Sequence, residues 1–116
     1  MKSMQLMSGT KLFIPRLYYP CGFWQRLRGL IGHEELTLEE GFLLPNCKAI
    51  HMFGMRRPLD IVFLDAQFKI LHIVNQLPPG RFAFCGKSQH TLELKSGAAN
   101  KLKLAPGQQF TIKEGI

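Results

Sequence analysis

Between Pro58 and Asp65 the chain reads Leu-Asp-Ile-Val-Phe-Leu, a β-branched and aromatic run without the polar stripe that a surface helix needs. In an extended backbone, side chains alternate, so Leu59, Ile61 and Phe63 line one side and Val62 and Leu64 the other. A strand that is apolar on both sides has to be covered on both, which places it inside a sandwich or barrel and not at an edge. Asp60 interrupts the second side. A carboxylate heading for the interior needs a partner, because an unpaired buried charge is strongly destabilising.

Other segments build outward from this strand. Ile70–Val74 pairs with it through a hairpin around Ala66, Gln67 and Phe68, and Leu77-Pro78-Pro79-Gly80 follows as a loop, since neither proline can donate to a ladder. Leu12–Arg16 reads as a first strand closed by a Tyr18-Tyr19-Pro20 corner, and Gly41–Leu44 as a short apolar strand ended by Pro45. Thr91–Lys95 alternates, with Leu92 and Leu94 inward and Glu93 outward, and Phe110 and Ile112 alternate in a last strand. Phe23, Leu27, Leu30 and Ile31 recur at helical spacing, so Phe23–Ile31 is expected to be a short helix ended by Gly32, with Glu34–Glu40 a polar connection. Ser96 is expected to cap a second helix reaching about Leu102. Six or seven short strands with two short helices predict a mostly β sandwich or barrel.

The 116 residues suit a single domain, 1–116, and a 46% hydrophobic, 20% charged composition excludes a disordered chain. Three cysteines, Cys21, Cys47 and Cys85, are too few and too odd for a disulfide framework and suit a reducing compartment. No signal-peptide core and no long apolar span are visible, so the expected location is cytoplasmic, with no membrane partner. The net charge of +7 makes this a basic protein. It predicts weak, salt-sensitive attraction to polyanions, and without a reading motif it predicts no sequence-specific nucleic-acid recognition.

Several blocks in fixed order resemble one family. Arg26-Leu27-Arg28-Gly29-Leu30 comes first, then Glu40-Gly41-Phe42-Leu43-Leu44, then the stretch Ile50–Asp65 with Gly54-Met55-Arg56-Arg57-Pro58 inside it, and finally Leu92-Glu93-Leu94 with Gly97. Together they resemble the prokaryotic family catalogued as domain of unknown function 192, in its branch with Cys47 and His51 ahead of Gly-Met-Arg. The resemblance covers about residues 20–112 and leaves residues 1–10 as a flexible extension. It implies a compact jelly-roll-like β fold and no assigned biochemistry. Three positions depart from the family pattern. Phe68 stands where a turn glycine is usual, which implies another turn type; Met52 replaces a threonine; and Gln108 replaces an aspartate after Gly107.

Candidate chemistry gathers between Pro45 and Asp60. Cys47 and His51 offer a thiol and an imidazole, suited to zinc, copper(I) or an activated thiolate, yet on a strand four residues span about 13 Å and only a helical turn brings them together. A half-buried thiol packed on the core is the simpler account of Cys47, because free cysteine is among the most buried residue types. Arg56 or Arg57 can grip a carboxylate or phosphate, or pair with Asp60 at the corner set by Pro58. Glu93 could join Asp60 as an acid–base pair, although no spacing links them. Trp24, Phe82 and Phe84 with Arg26, Arg28 and Arg81 could stack bases, but core packing is the simpler expectation for these rings.

No dinucleotide fingerprint, P-loop, His-Glu-x-x-His or Gly-x-Ser-x-Gly motif occurs. No cofactor or metal is expected. The expected function is a non-catalytic binding or accessory domain, with a site near residues 46–60 for a small anionic ligand or a protein partner. Its candidate residues are Cys47, His51, Met55, Arg56, Asp60 and Glu93. The alternative is an enzyme or metal-dependent protein using Cys47, His51, Arg56 and Asp60 in one pocket.

Overall fold

Short alternating and β-branched segments become strands along most of the chain. The computed structural model describes residues 2–19 and 36–114. In chain order these form β1 (Lys2–Ser8), β2 (Lys11–Tyr19), β3 (Glu40–Leu44), β4 (Ala49–His51), β5 (Leu59–Leu64), β6 (Ile70–Leu77), β7 (Phe82–Phe84), β8 (His90–Lys95), the helical turn α1 (Ala98–Lys101) and β9 (Thr111–Glu114). The expected Phe23–Ile31 helix, its Gly32 terminus, and Cys21, Trp24, Arg26 and Arg28 lie outside the described residues.

Seven strands form one sheet in the order β6-β5-β8-β3-β2-β1-β9. Its neighbours are antiparallel except β2 and β3, which run parallel. The sheet is mixed and mostly β in class, and it stays open instead of closing into a barrel. β4 and β7 make a separate two-stranded ribbon.

As its two apolar sides require, β5 is buried in all six residues and sits between β6 and β8. Val62 and Leu64 join Leu6, Ile14, Leu17, Leu43, Leu92 and Leu94 in the core on one face of the sheet. Leu59, Ile61 and Phe63 join Phe42 and Leu44 on the other face, where Ile50 of β4 and Ala83 of β7 close over them. The ribbon is therefore the lid of the second face. Gly41 lies where three strands crowd: a Cβ there would stand 2.9 Å from Leu94 Cδ2 and 3.5 Å from Leu17 Cδ1.

Several expectations are corrected. Residues 2–8 are not a loose extension: β1 pairs with β2 and β9, and Leu6 is fully buried. The strand signal there is short, and the partner strand β9 comes from the far end of the chain. Ser96 does not cap α1. The N-cap is Gly97, with φ 89, and no side chain of the local sequence caps the turn. The expected change of turn type after Asp65 does not occur either. Phe68 keeps the left-handed conformation at φ 63, the Phe68 N–H donates to Asp65 O, and the Asp65 N–H to Lys69 O. A type I turn followed by a left-handed residue is a standard three-residue hairpin loop. Its strain at a non-glycine residue is offset here because the Phe68 ring stacks on His90, with centroids 4.9 Å apart, and packs on the first-face core.

Glu93 is the largest correction. It does not face water; only 4% of it is exposed. β8 lies between β3 and β5, and Glu93 stands opposite Phe42 on one side and Ile61 on the other. With both faces of the sheet covered, strand alternation moves a side chain from one core to the other, not from core to solvent.

Candidate functional site

Residues 46–57 do cross from one strand to the next, as two turns and β4. Pro45 sets the first turn, and Asn46 takes its left-handed position at φ 52, which asparagine tolerates. β4 then pairs with β7, with Ala49, Ile50 and His51 opposite Phe84, Ala83 and Phe82. Ile50 and Ala83 point into the second-face core, so the alternation turns Ala49, His51, Phe82 and Phe84 outward. The next turn places Gly54 at φ 82, closed by the Met55 N–H on Met52 O. Met52 is tied to the start of β7, because its N–H donates to Arg81 O at 2.7 Å and its carbonyl accepts the Gly80 N–H at 2.9 Å.

The outer face of the ribbon is aromatic. Phe82 is 64% exposed, Phe84 63% and Phe53, in the adjoining turn, 78%. The ribbon and its turns also carry Lys48, Arg56, Arg81 and Lys87, all exposed. Lys48 Nζ is anchored on Gly86 O at 3.2 Å. A Cβ on Gly86 would stand 3.3 Å from Phe84 Cζ, so the glycine lets this ring lie close over the turn. Residues 41–59 and 66–92 contain no aspartate or glutamate. The charged residues of the ribbon and its turns are thus all cationic.

The six candidate residues do not converge. Cys47 and Met55 are half-buried and lean on the second-face core. The Cys47 thiol donates to Ala49 O at 3.1 Å, its N–H donates to Gln89 O, and its carbonyl accepts the Thr91 hydroxyl at 2.7 Å. His51 is exposed on the outer side of β4, and Arg56 is exposed in the turn before Pro58. Asp60 lies on the opposite face of the sheet from Glu93: it alternates with Ile61, and its Oδ2 meets α1, whose Ala98 belongs to the first-face core. Asp60 Oδ1 accepts the Gln76 N–H and Oδ2 the Ala99 N–H, each at 2.9 Å. Its partners are backbone donors, where the sequence suggested Arg56 or Arg57.

Glu93 and Glu40, both on the second face, differ in their electrostatics. Glu40 accepts the Tyr18 hydroxyl at 2.6 Å and the Thr37 N–H at 3.0 Å, and the hydrogen bond to Glu40, with burial second, raises the Tyr18 pKa. Glu93 makes no hydrogen bond or ion pair with any described residue, and burial pushes its carboxyl up to about 8. It is therefore held as a neutral acid at neutral pH. Among the described residues no three His, Cys, Asp or Glu side chains are placed to hold a metal ion, and Cys47 and Cys85 are free thiols.

The expected core packing of Phe82 and Phe84 is overturned by their exposure. In the fold the small Ala83, not the rings, faces inward, and the alternation in Phe82-Ala83-Phe84 is the same whichever side does so. Gln108, in place of the family's aspartate, has a buried Oε1 with no hydrogen-bond partner, and nothing in the structure explains it.

A sequence-family profile described as an uncharacterised family, domain of unknown function 192 (DUF192), matches residues 17–112. No curated protein matches the chain. Two solved structures share the fold. One is a protein of unknown function from Novosphingobium aromaticivorans, 22% identical, with a TM-score of 0.78 over 94% of this chain and 83% of the other. The second is a Sinorhizobium meliloti protein described as a candidate transcription regulator, 18% identical, with a TM-score of 0.81 over 96% of this chain and 92% of the other. At these identities the likeness concerns the fold. No helix among the described residues is long and apolar enough to cross a membrane.

Proposed function

The chain belongs to the uncharacterised DUF192 family, and from that premise we propose that it is a small non-catalytic binding domain that takes an anionic partner on the outer face of the β4–β7 ribbon, beside residues 46–60. One observation carries this reading: Phe82 and Phe84 leave one face of β7 exposed, and the ribbon and its turns also carry exposed Phe53, Lys48, Arg56, Arg81 and Lys87 in segments free of acidic residues. Exposed aromatic rings among cations are the composition of binding surfaces, and an apolar patch of this kind is not left bare without use. Of the six residues first considered, His51 and Arg56 face this surface or its rim. Cys47 and Met55 support it from beneath, and Asp60 and Glu93 serve the fold. The alternative enzyme or metal-dependent protein has less support, because Cys47, His51 and Asp60 are directed to different sides. The free thiols of Cys47 and Cys85 suit a cytoplasmic location. The description of the Sinorhizobium meliloti protein is in keeping with a domain that binds.

Heparin chromatography tests the location of the anion surface. Arg56→Glu with Arg81→Glu is expected to elute at clearly lower salt than Lys101→Glu with Lys103→Glu, a pair of equal charge change at α1. Equal elution of the two double variants would remove the basis for a ribbon site.

A further inference from the structure

We infer that the anion taken by the β4–β7 ribbon is an extended single-stranded nucleic acid, whose bases stack on Phe82 and Phe84 without sequence selection. This rests on the reading of the ribbon as an anion-binding surface and adds the identity of the ligand. Phe82 and Phe84 are two residues apart on one strand, so their rings leave the same face about 7 Å apart. That separation suits two successive unstacked bases on neighbouring rings. His51, directly opposite Phe82, and Phe53, beyond it in the Met52–Met55 turn, extend the row.

The cations are placed for a backbone running along this row. Lys48 and Lys87 lie at the Phe84 end, and Arg81 and Arg56 at the Phe82 and Phe53 end. Phosphates supply the charge that these residues meet, while the rings meet the bases. Stacking tolerates any base because every base has a π-face, which agrees with a chain that carries no base-reading motif. Arg81-Phe82-Ala83-Phe84 sets a cation ahead of two rings that flank a small inward residue. Duplex nucleic acid has its bases already stacked and offers this row nothing beyond its phosphates. An aliphatic protein partner or a lipid surface would be matched by aliphatic residues as well. The exposed large apolar residues of the ribbon and its turn are all phenylalanine, and Leu12, the fourth such residue among those described, is on β2.

Fluorescence anisotropy with a labelled oligothymidylate of about 15 nucleotides, long enough for one such site, tests the inference at about 50 and 200 mM salt. The single strand is expected to bind more tightly than a duplex of the same length, with oligoadenylate close behind oligothymidylate. Phe82→Ala and Phe84→Ala should each weaken binding roughly tenfold. Both positions are exposed, so melting temperatures should hold, and Leu12→Ala should leave binding unchanged. If duplex or polyglutamate binds as well as the single strand, or the phenylalanine variants bind it normally, stacking is excluded while the anion surface stands. Stronger, phenylalanine-dependent binding to phosphatidylserine vesicles or polyglutamate would assign the ribbon to a lipid surface or an acidic protein instead. Failure of every polyanion to bind at about 50 mM salt would overturn both readings.

Discussion

The Asp60 carboxylate accepts the backbone N–H of Ala99 at 2.9 Å, so a strand residue caps a helical turn 39 positions away. Its other oxygen holds the Gln76 N–H, at the point where β6 carries an extra residue against β5 and Gln76 adopts φ 54. One side chain thus completes a bulge and a helix end that their own sequences leave open. Asp60→Ala removes both acceptors and is expected to cost about 2–4 kcal/mol, because the buried Ala99 N–H and the partly buried Gln76 N–H are left without partners. Asp60→Asn retains one good acceptor and should fall between that variant and the parent. Urea denaturation of the three proteins measures the order, and equal stability would refute the capping role.

Glu93 makes stability depend on pH. Burial disfavours the charged form and pushes its carboxyl up to about 8, from the 4.5 of a solvated glutamate. Below the unfolded value both states hold the proton, and the full stability is present. Between the two values the unfolded state has lost its proton while the folded state keeps it, so stability falls by up to about 1.4 kcal/mol per pH unit. Above the folded value the fall from this group ends. Glu93→Gln should flatten the decline between about pH 5 and 8 and be more stable than the parent at the upper end. Thermal denaturation across this range checks it; an unchanged slope in the variant would assign the decline to other groups.

Phe63 is fully buried on the face that the ribbon covers. Phe63→Ala is expected to cost about 3–5 kcal/mol through lost burial and the cavity left behind. Phe82→Ala, with the same chemical change at an exposed site, should cost less than about 0.5 kcal/mol. A loss below about 1 kcal/mol for Phe63→Ala in chemical denaturation would contradict the two-sided burial of β5.

At Phe68 strain and packing oppose each other. Glycine would relieve the left-handed backbone by about 1 kcal/mol and lose the ring's contacts with His90 and the core. Alanine would lose the same contacts and keep the strain. The expected order of stability is therefore phenylalanine, then glycine, then alanine, with the last two about 1 kcal/mol apart. Melting temperatures decide it, and an alanine variant more stable than the glycine variant would refute the left-handed turn.

Local pattern was enough to foresee β5 as an internal strand, its hairpin with β6, the Pro78–Gly80 loop (Leu77 belongs to β6) and the mostly β class. These depend on period-two alternation and on turn residues, which act within a few positions. The family blocks were equally legible because they are linear. The destinations of the polar residues and exposed rings were not. Leu92-Glu93-Leu94 has the same alternation whether water or a second core lies beneath Glu93, and Phe82-Ala83-Phe84 the same alternation whichever side faces in. Asp60 signalled its need for a partner, yet its donors lie 16 and 39 residues away. Burial belongs to whatever covers a face, and here the covers are assembled from distant segments: Ala49–His51 with Phe82–Phe84 over one side of the sheet, and Ala98 with Phe110 on the other.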